Sequence, residues 1–490
     1  MELPLLSLIT FIPLAGALAV LCLPKDLRRA IEGVSLAAAA VPFALSAWLY
    51  FAFDRSTAAM QFVERHGWIS SSAVRIDYYL GVDGLSAPLV MLTALMSLVA
   101  LIASLGIKER FKEYAFWFLI LEVGMLGVFE SLDFFLFYVF WEITLVPMYF
   151  LIGIWGGPQK EYAAIKFFLY TLTGSVFMLL GILAMYFKAT PHTFDMLELM
   201  KIHGALSFKF QALVFLAFYF GFAVKVPAFP FHTWLPLAHV EAPTAISVIL
   251  AAVLLKMGVY GIMRVSYPML PLGFEWFLPY LVVIAVINIV YGALCAMAQN
   301  DMKKMVAYSS INHMGYCLLA IAGVTATGFS GAAFQMVNHG IITGALFLLV
   351  GVIYDRAHTR DIGAFGGLAT KVPVYAGLMS LACFASLGLP GMAGFVSEFL
   401  CFLGAFPRWK IYTAISVLGI LTTAAFFLRM LEKVFLGPLN NRWADLTDMN
   451  ARELVSLVPL AVLMVVLGIW PRLALDMMNA TMVNLAGLFK

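Results

Sequence analysis

Seven ionisable side chains lie inside long apolar runs of this 490-residue chain: Glu122, Glu142, Lys225, Lys256, His313, His339 and Glu398. Carboxyls, amines and imidazoles share one chemistry, which is to accept a proton and hand it on. Burial disfavours the charged form of a lysine, and a carboxylate brought beside it restores the charge. A carboxylate that moves toward and away from a lysine can therefore drive a proton along, at about 1.4 kcal/mol for each unit of pKa. In that scheme Glu142 approaches and leaves Lys225. Lys256, His313 and His339 are successive acceptors with water in the gaps, and Glu398 exchanges with one bulk phase.

The elements that must hold these groups are membrane helices. The chain is 63% hydrophobic and 12% charged, with a mean hydropathy of +0.96. A soluble domain is about a quarter charged. At membrane depth each ionisable group costs at least about 2.5–3.5 kcal/mol, so such groups are rare and usually functional. One alone is readily structural, whereas seven on seven different helices describe a polar track. The net charge of +3 sits in loops and points to no nucleic-acid partner. Cys22, Cys295, Cys317, Cys383 and Cys401 form no CxxC pair and read as small buried hydrophobes. No Walker A or GxGxxG sequence marks a nucleotide site.

A crossing needs about 20 apolar residues. By that ruler about fourteen spans are expected, near 4–23, 31–53, 84–106, 114–131, 134–155, 162–187, 211–230, 244–265, 277–298, 305–324, 331–354, 372–405, 411–436 and 454–470. The reading is an all-α polytopic membrane protein with a single transmembrane domain over 1–490. Residues 54–82 and 188–210 are expected as polar connections, and the tail after Pro471 as an interfacial segment or partial span. The first apolar run reads as a retained helix rather than a signal peptide. Lys108, Arg110, Lys112, Lys303, Lys304, Arg356 and Arg360 make one side more basic than the side of Arg55, Arg65, Arg75, Lys188, Lys201 and Lys490. That bias places both termini away from the cytoplasm.

Two spans are broken. Residues 222–244 read FAVKVPAFPFHTWLPLAHVEAPT. Pro227 and Pro230 lack an N–H and free the carbonyls of Ala223 and Val226. Free carbonyls are tolerated at depth only where protein or water satisfies them, so Lys225 gains a polar pocket there. In GLPGMAGFVSEFL, Pro390, Gly391 and Gly394 precede Glu398. Interrupted helices in corresponding places mark transporters built from inverted repeats, here about 114–265 and 277–436. Glu122 and Glu142 each lie about nine residues from the joint at Ser131–Asp133, roughly 13 Å along their helices, so they share a depth. His232 and Glu241 either assist the track or belong to a capped, hydrogen-bonded connection.

FYVFWEITLVPMYFLIGIWGG, KVPAFPFHTWLPLAHVEAPTAISVILAAVLLKMGVYG, AYSSINHMGY and GLPGMAGFVSEF resemble the antiporter-like subunits of respiratory complex I, over nearly all of the chain after residue 80. The resemblance implies a fourteen-helix core with two inverted five-helix repeats and interrupted helices 7 and 12. It implies that Glu142 pairs with Lys225, that Lys256 lies on the central axis, and that His313 and His339 link it to a terminal Glu398. It implies no cofactor on this chain, with NAD, FMN, iron–sulfur clusters and quinone on partner subunits. The partners implied are the other membrane subunits, two sister antiporter-like subunits among them, in a bacterial cytoplasmic membrane. A subunit of an Mrp-type sodium/proton antiporter or of a membrane-bound hydrogenase is the alternative. Glu398, where most sister branches have lysine, favours the respiratory branch. A haem carrier using His313 and His339, an organic-solute transporter and a purely structural subunit are the readings from other classes. Against them stand the lysines and glutamates around the histidines, the lack of a wider polar cluster, and the cost of buried charge.

Overall fold

The computed structural model describes residues 3–71 and 74–488. Without water in the bilayer core, a spanning segment must pair its own backbone, and helices result. Helices α1 (Leu5–Cys22) and α2 (Arg28–Ala52) precede strands β1 (Gln61–Ser70) and β2 (Arg75–Val82). Then come α3 (Ala87–Ser104), α4 (Phe111–Glu130), α5 (Phe134–Ile143), α6 (Leu145–Trp155), α7 (Lys160–Lys188), α8 (Met196–Lys201), α9 (Phe208–Lys225) and α10 (Trp234–Glu241). A central helix follows as α11 (Thr244–Ile249), α12 (Leu255–Gly261) and α13 (Tyr267–Met269), separated by π-helical turns at Leu250–Leu254 and Ile262–Ser266. The chain ends with α14 (Pro271–Met297), α15 (Met302–Ala322), α16 (Ala326–Ala357), α17 (Pro373–Ser386), α18 (Ala393–Ala405), α19 (Lys410–Phe435), α20 (Ala451–Ile469) and α21 (Arg472–Gly487).

Among the described residues, eleven helical stretches are long and apolar enough to cross a membrane. The spans expected near 114–131 and 305–324 are helical but polar enough to fall outside that set, and the span expected at 372–405 is two short helices, α17 and α18. The central helix and α16 form the axis of the bundle, with their apolar windows wholly buried. Helices α7, α14 and α19 turn much of their surface outward, with Leu169, Phe177, Leu180, Tyr280, Leu418 and Leu421 exposed.

Residues 54–82 are more than the polar connection expected. They carry an antiparallel β-hairpin whose β2 bridges at Leu80 to Ser131, between α4 and α5. Arg65 pairs with Asp77 at 2.8 Å and with Asp195 at 2.9 Å, tying the hairpin to the α7–α8 connection. Asp133 caps α5, accepting from the amides of Phe135 at 2.8 Å and Leu136 at 3.2 Å. Burial pushes its carboxyl up to about 6. The tail after Pro471 is helix α21, packed on protein: the Gly84 amide donates to Thr481 Oγ1 at 3.0 Å.

Lys490, counted above among the far-side cations, lies outside the described residues, as do Glu2 and Phe489 at the two ends. The topology is tested at exposed Leu3 and Leu488, as Leu3→Cys and Leu488→Cys in a Cys22→Ser background. An impermeant thiol reagent should label both in right-side-out vesicles. Protection of either overturns the orientation or the parity of the spans.

Candidate proton track

Lys256 sits on α12 between the two π-helical turns, at zero exposure. Wide turns of this kind recur at functional positions. Its Nζ folds back to donate to the carbonyl of Ala251 at 2.5 Å and meets His339 Nδ1, from α16, at 2.6 Å. An imidazole nitrogen that accepts from the lysine leaves the other nitrogen to carry the ring proton. His339 Nε2 has no protein partner among the described residues. The His339 and His313 rings are 5.5 Å apart, and both line one small cavity with Gln335, Thr343, Ser386 and Glu398. On its far wall His313 contacts Glu398 Oε1 through Nδ1 and Ser386 Oγ through Nε2, each at 3.1 Å. Lys256, His339, His313 and Glu398, from four helices, thus form one line with a polar cavity, suited to water, at its single gap. With both His313 nitrogens engaged, the two rings are not set as a pair of free axial ligands for a haem.

The second break positions the end of this line. Between α17 and α18 the backbone turns through Gly388 (φ +79°) and Gly391 (φ +93°), with Pro390 exposed at the tip. Glu398 Oε2 lies against Gly388, where a Cβ would stand 3.0 Å from it. Asn338 holds the restart of the helix by donating to the carbonyl of Ala393 at 2.9 Å. Ser397 donates to Gln335 Oε1 at 2.5 Å, fixing the neighbouring face.

Protein groups pair part of the first break. The Ala223 carbonyl freed by Pro227 accepts from the Ala228 amide at 2.8 Å. Asn288 of α14 accepts from the Phe229 amide at 2.8 Å and donates to the carbonyl of Pro227 at 3.3 Å. Pro230 follows a cis bond at the exposed edge, and His232 stacks on Phe229 and meets Tyr291 edge-on. Lys225 ends α9 with its Nζ 3.4 Å from Thr144 Oγ1 and over the rings of Trp141 and Phe167.

The expected Glu142–Lys225 ion pair is not closed, since no salt bridge joins them among the described residues. Thr144, one residue past the end of α5, occupies the lysine instead, and Tyr138 interacts with the Glu142 carboxylate. Glu122 and Glu142 do share a depth. Gly124, two residues from Glu122, packs on Ile143 and Thr144, so close that a Cβ would meet both at 3.0–3.1 Å. Both Glu122 oxygens are buried without a partner among the described residues. No hydrogen bond joins Lys225 to Lys256 among the described residues, so the track lies in two parts. Glu241 is a structural cap: its Oε2 accepts from the Gln159 amide at 2.9 Å and its carbonyl from that of Gly157 at 2.9 Å.

Sequence reasoning passed over several of these groups. His239 is fully buried, stacked 4.5 Å from Phe347, and interacts electrostatically with Lys256 and Lys303. Its only signal was a histidine inside PLAHVEAPT. Lys303 was counted as a loop cation, yet it is buried with its Nζ 2.6 Å from the carbonyl of Ala242. The buried pair of Arg264 and Asp83 joins the second π turn to the start of α3. Nothing in sequence spacing relates those two residues.

The comparisons agree with this architecture. Residues 131–425 match the family model "NADH:quinone oxidoreductase/Mrp antiporter, TM", and residues 36–128 match "NADH-ubiquinone oxidoreductase chain 4, amino terminus". The chain belongs to the NADH:quinone oxidoreductase/Mrp antiporter transmembrane family. It is 41% identical to NADH-quinone oxidoreductase subunit M of Rickettsia conorii, over 99% of each chain. It is 45% identical to subunit M of Rhodobacter capsulatus, over 98% of this chain and 96% of that one. Among solved structures it is similar to a chain of respiratory complex I from Thermus thermophilus with bound NADH, with a TM-score of 0.88, 29% identity and coverage of 99% and 100%. It shares its fold with a chain of the Mrp complex from Dietzia sp., with a TM-score of 0.79, 22% identity and coverage of 99% and 96%.

The glycine at the second break provides a test. Gly388→Ala forces a side chain into left-handed backbone, at about 1–2 kcal/mol, and against Glu398. It should lower the midpoint of thermal unfolding. Gly377→Ala, on α17 with nothing within 4 Å of a Cβ, should leave the midpoint unchanged or raise it. Equal behaviour of the two contradicts the geometry described.

Proposed function

We infer that this chain is the M-type, antiporter-like membrane subunit of a bacterial NADH:quinone oxidoreductase and that it moves protons across the membrane. The observation that carries the reading is the line of Lys256, His339, His313 and Glu398, hydrogen-bonded at both ends and joined across one small cavity. Partner subunits bind NAD, FMN, iron–sulfur clusters and quinone and carry out the redox chemistry. Two sister antiporter-like subunits and the other membrane subunits are its neighbours, in the cytoplasmic membrane.

In this account Glu142 is the moving carboxylate and Lys225 the amine that it charges. Their separation corresponds to the stage at which Lys225 yields its proton toward Lys256. Lys256 passes it to His339, and a water in the cavity carries it to His313 and Glu398. Glu122 supports the depth of Glu142, while Pro227, Pro230 and Pro390 keep the two breaks open.

The repeats at about 114–265 and 277–436 have support in the turns. Asp133 caps α5 and bridges to Asp195, and Asp301 caps α15 and bridges to Asp361. The separations are nearly equal, at 195 − 133 = 62 and 361 − 301 = 60 residues. The two bridges lie at opposite ends of the bundle. The crossing from Asp133 ends near Gly157, which bonds Glu241, and Arg360 bonds the adjacent Val240. Opposite ends are what inverted repeats require.

The test is NADH-driven proton uptake by inverted vesicles at matched assembly. Glu142→Gln and Glu398→Gln cannot exchange a proton and should each reduce uptake by an order of magnitude or more. Glu142→Asp should keep part of it, and Glu398→Lys more than Glu398→Gln. Uptake like the parent's in both Gln variants contradicts the reading.

A further inference from the structure

Glu130 has no part in the track. It ends α4 at zero exposure, beside the hairpin. Thr10 of α1 donates to its Oε2, and its Oε1 is buried without a partner among the described residues. One turn earlier on α1 (about 4.5 Å along the axis), Ser7 donates to Oε2 of Glu64, on β1. Ser7 Oγ also lies 2.5 Å from the hydroxyl of Tyr78, on β2. A serine hydroxyl has one proton. With that proton directed to Glu64, Tyr78 donates to Ser7, so the order is Tyr78 to Ser7 to Glu64. Glu64 and Tyr78 are half-buried, while Glu130 is wholly enclosed. Glu130 interacts electrostatically with both.

The inner end of this cluster meets the central helix one turn from Lys256. Tyr260 lies one turn after Lys256, and its hydroxyl donates to the carbonyl of Phe129 at 3.3 Å, next to Glu130. Tyr260 and Glu130 interact electrostatically. The cluster therefore runs from the turn beside Lys256 to the edge of the hairpin, on the face where both ends of the described chain lie.

We propose that Glu130, Tyr78, Ser7 and Glu64 form a second proton port, connecting the first half of the bundle to the water on the hairpin side. Glu130 takes up a proton from the interior on the free Oε1 and releases one to a bridging water. That water protonates the Tyr78 oxygen as the Tyr78 proton moves to Ser7 and the Ser7 proton to Glu64. Glu64 gives its proton to bulk water, and the two hydroxyls rotate back, so one proton enters and one leaves. Purely structural carboxyls would explain the hydrogen bonds to Thr10, to Ser7 and to the Leu6 amide, which donates to Glu64 at 2.7 Å. They would not explain an enclosed, unpartnered carboxyl oxygen at the inner end of the chain of hydroxyls.

The inference rests on the proton-moving reading above, and its test separates the two. In the assembled complex, NADH-driven proton uptake is measured for Glu130→Gln, Glu130→Asp, Ser7→Ala and, as reference, Glu142→Gln. Gln keeps the shape and the bond from Thr10 but cannot release a proton. The port predicts a severalfold loss in Glu130→Gln at matched assembly, recovery toward the parent in Glu130→Asp, and a loss in Ser7→Ala. If Glu130→Gln does not assemble, Ser7→Ala decides alone, because it leaves both carboxyls in place. Parent-like uptake in Glu130→Gln, or in Ser7→Ala where that decides, with uptake lost in Glu142→Gln, overturns the port and leaves the general reading standing. Parent-like uptake in Glu142→Gln as well defeats both.

Discussion

An amine enclosed in a membrane bundle needs partners, and the placement of Lys256 depends on that constraint. The lysine lies on a helix whose apolar window is buried on every side. Its neighbours must therefore supply acceptors from within the protein. The wide turn before it brings the Ala251 carbonyl within 2.5 Å, and α16 brings His339 within 2.6 Å. The contact with His339 is made by the face of the central helix that meets α16. It also sets the imidazole with one nitrogen on the lysine and one toward the cavity.

The rest of the track follows from the same requirement. A carboxyl at the depth of Glu398 is housed because His313 meets it and because the chain opens at Gly388 to admit it. A helix interruption creates unpaired backbone groups in turn, and a polar side chain on an adjacent helix can repair them. Asn288 does so at the first break, whereas at the second the backbone pairs with itself, the Leu389 amide donating to the carbonyl of Phe384 at 3.1 Å. Close glycine contacts set the spacing. Gly258 of the central helix stands so near Phe222 and Val226 that a Cβ would meet them within 3 Å, which locks the first broken helix against the axis. The groups assigned to proton transfer also hold the helices together, so the account expects that removing one disturbs both.

Much of this was readable from residue types. Apolar length gave the helices, prolines and glycines gave both breaks, and of the seven out-of-place ionisable residues four meet around one cavity. Glu398 and the two histidines meet as their chemistry suggested. What stayed hidden depends on three-dimensional register. The π turns around Lys256 leave no mark in a run such as ISVILAAVLLKMG, which reads as uniform apolar helix. The hairpin at 61–82 was hidden by alternation that is only partly apolar and by a setting in which polar residues read as loop. Asn288, Gln335 and Ser386 carry no signal of their own in the sequence, and only the fold shows that they face a break or the cavity. The Glu142–Lys225 pairing was inferred from types that attract, but contact depends on side-chain placement, and here Thr144 is the nearer partner.

The central claim is that Lys256, His339, His313 and Glu398 act in series on one path. A double-mutant cycle in proton uptake tests it most directly, with Lys256→Met, His313→Leu and the two combined in the assembled complex. Groups in series are strongly non-additive, because a path cut once gains nothing from a second cut. The account predicts that each single variant loses most NADH-driven uptake and that the double variant is no worse than the poorer single. Losses that multiply would mean that the two residues act independently, and would contradict a single line through the bundle.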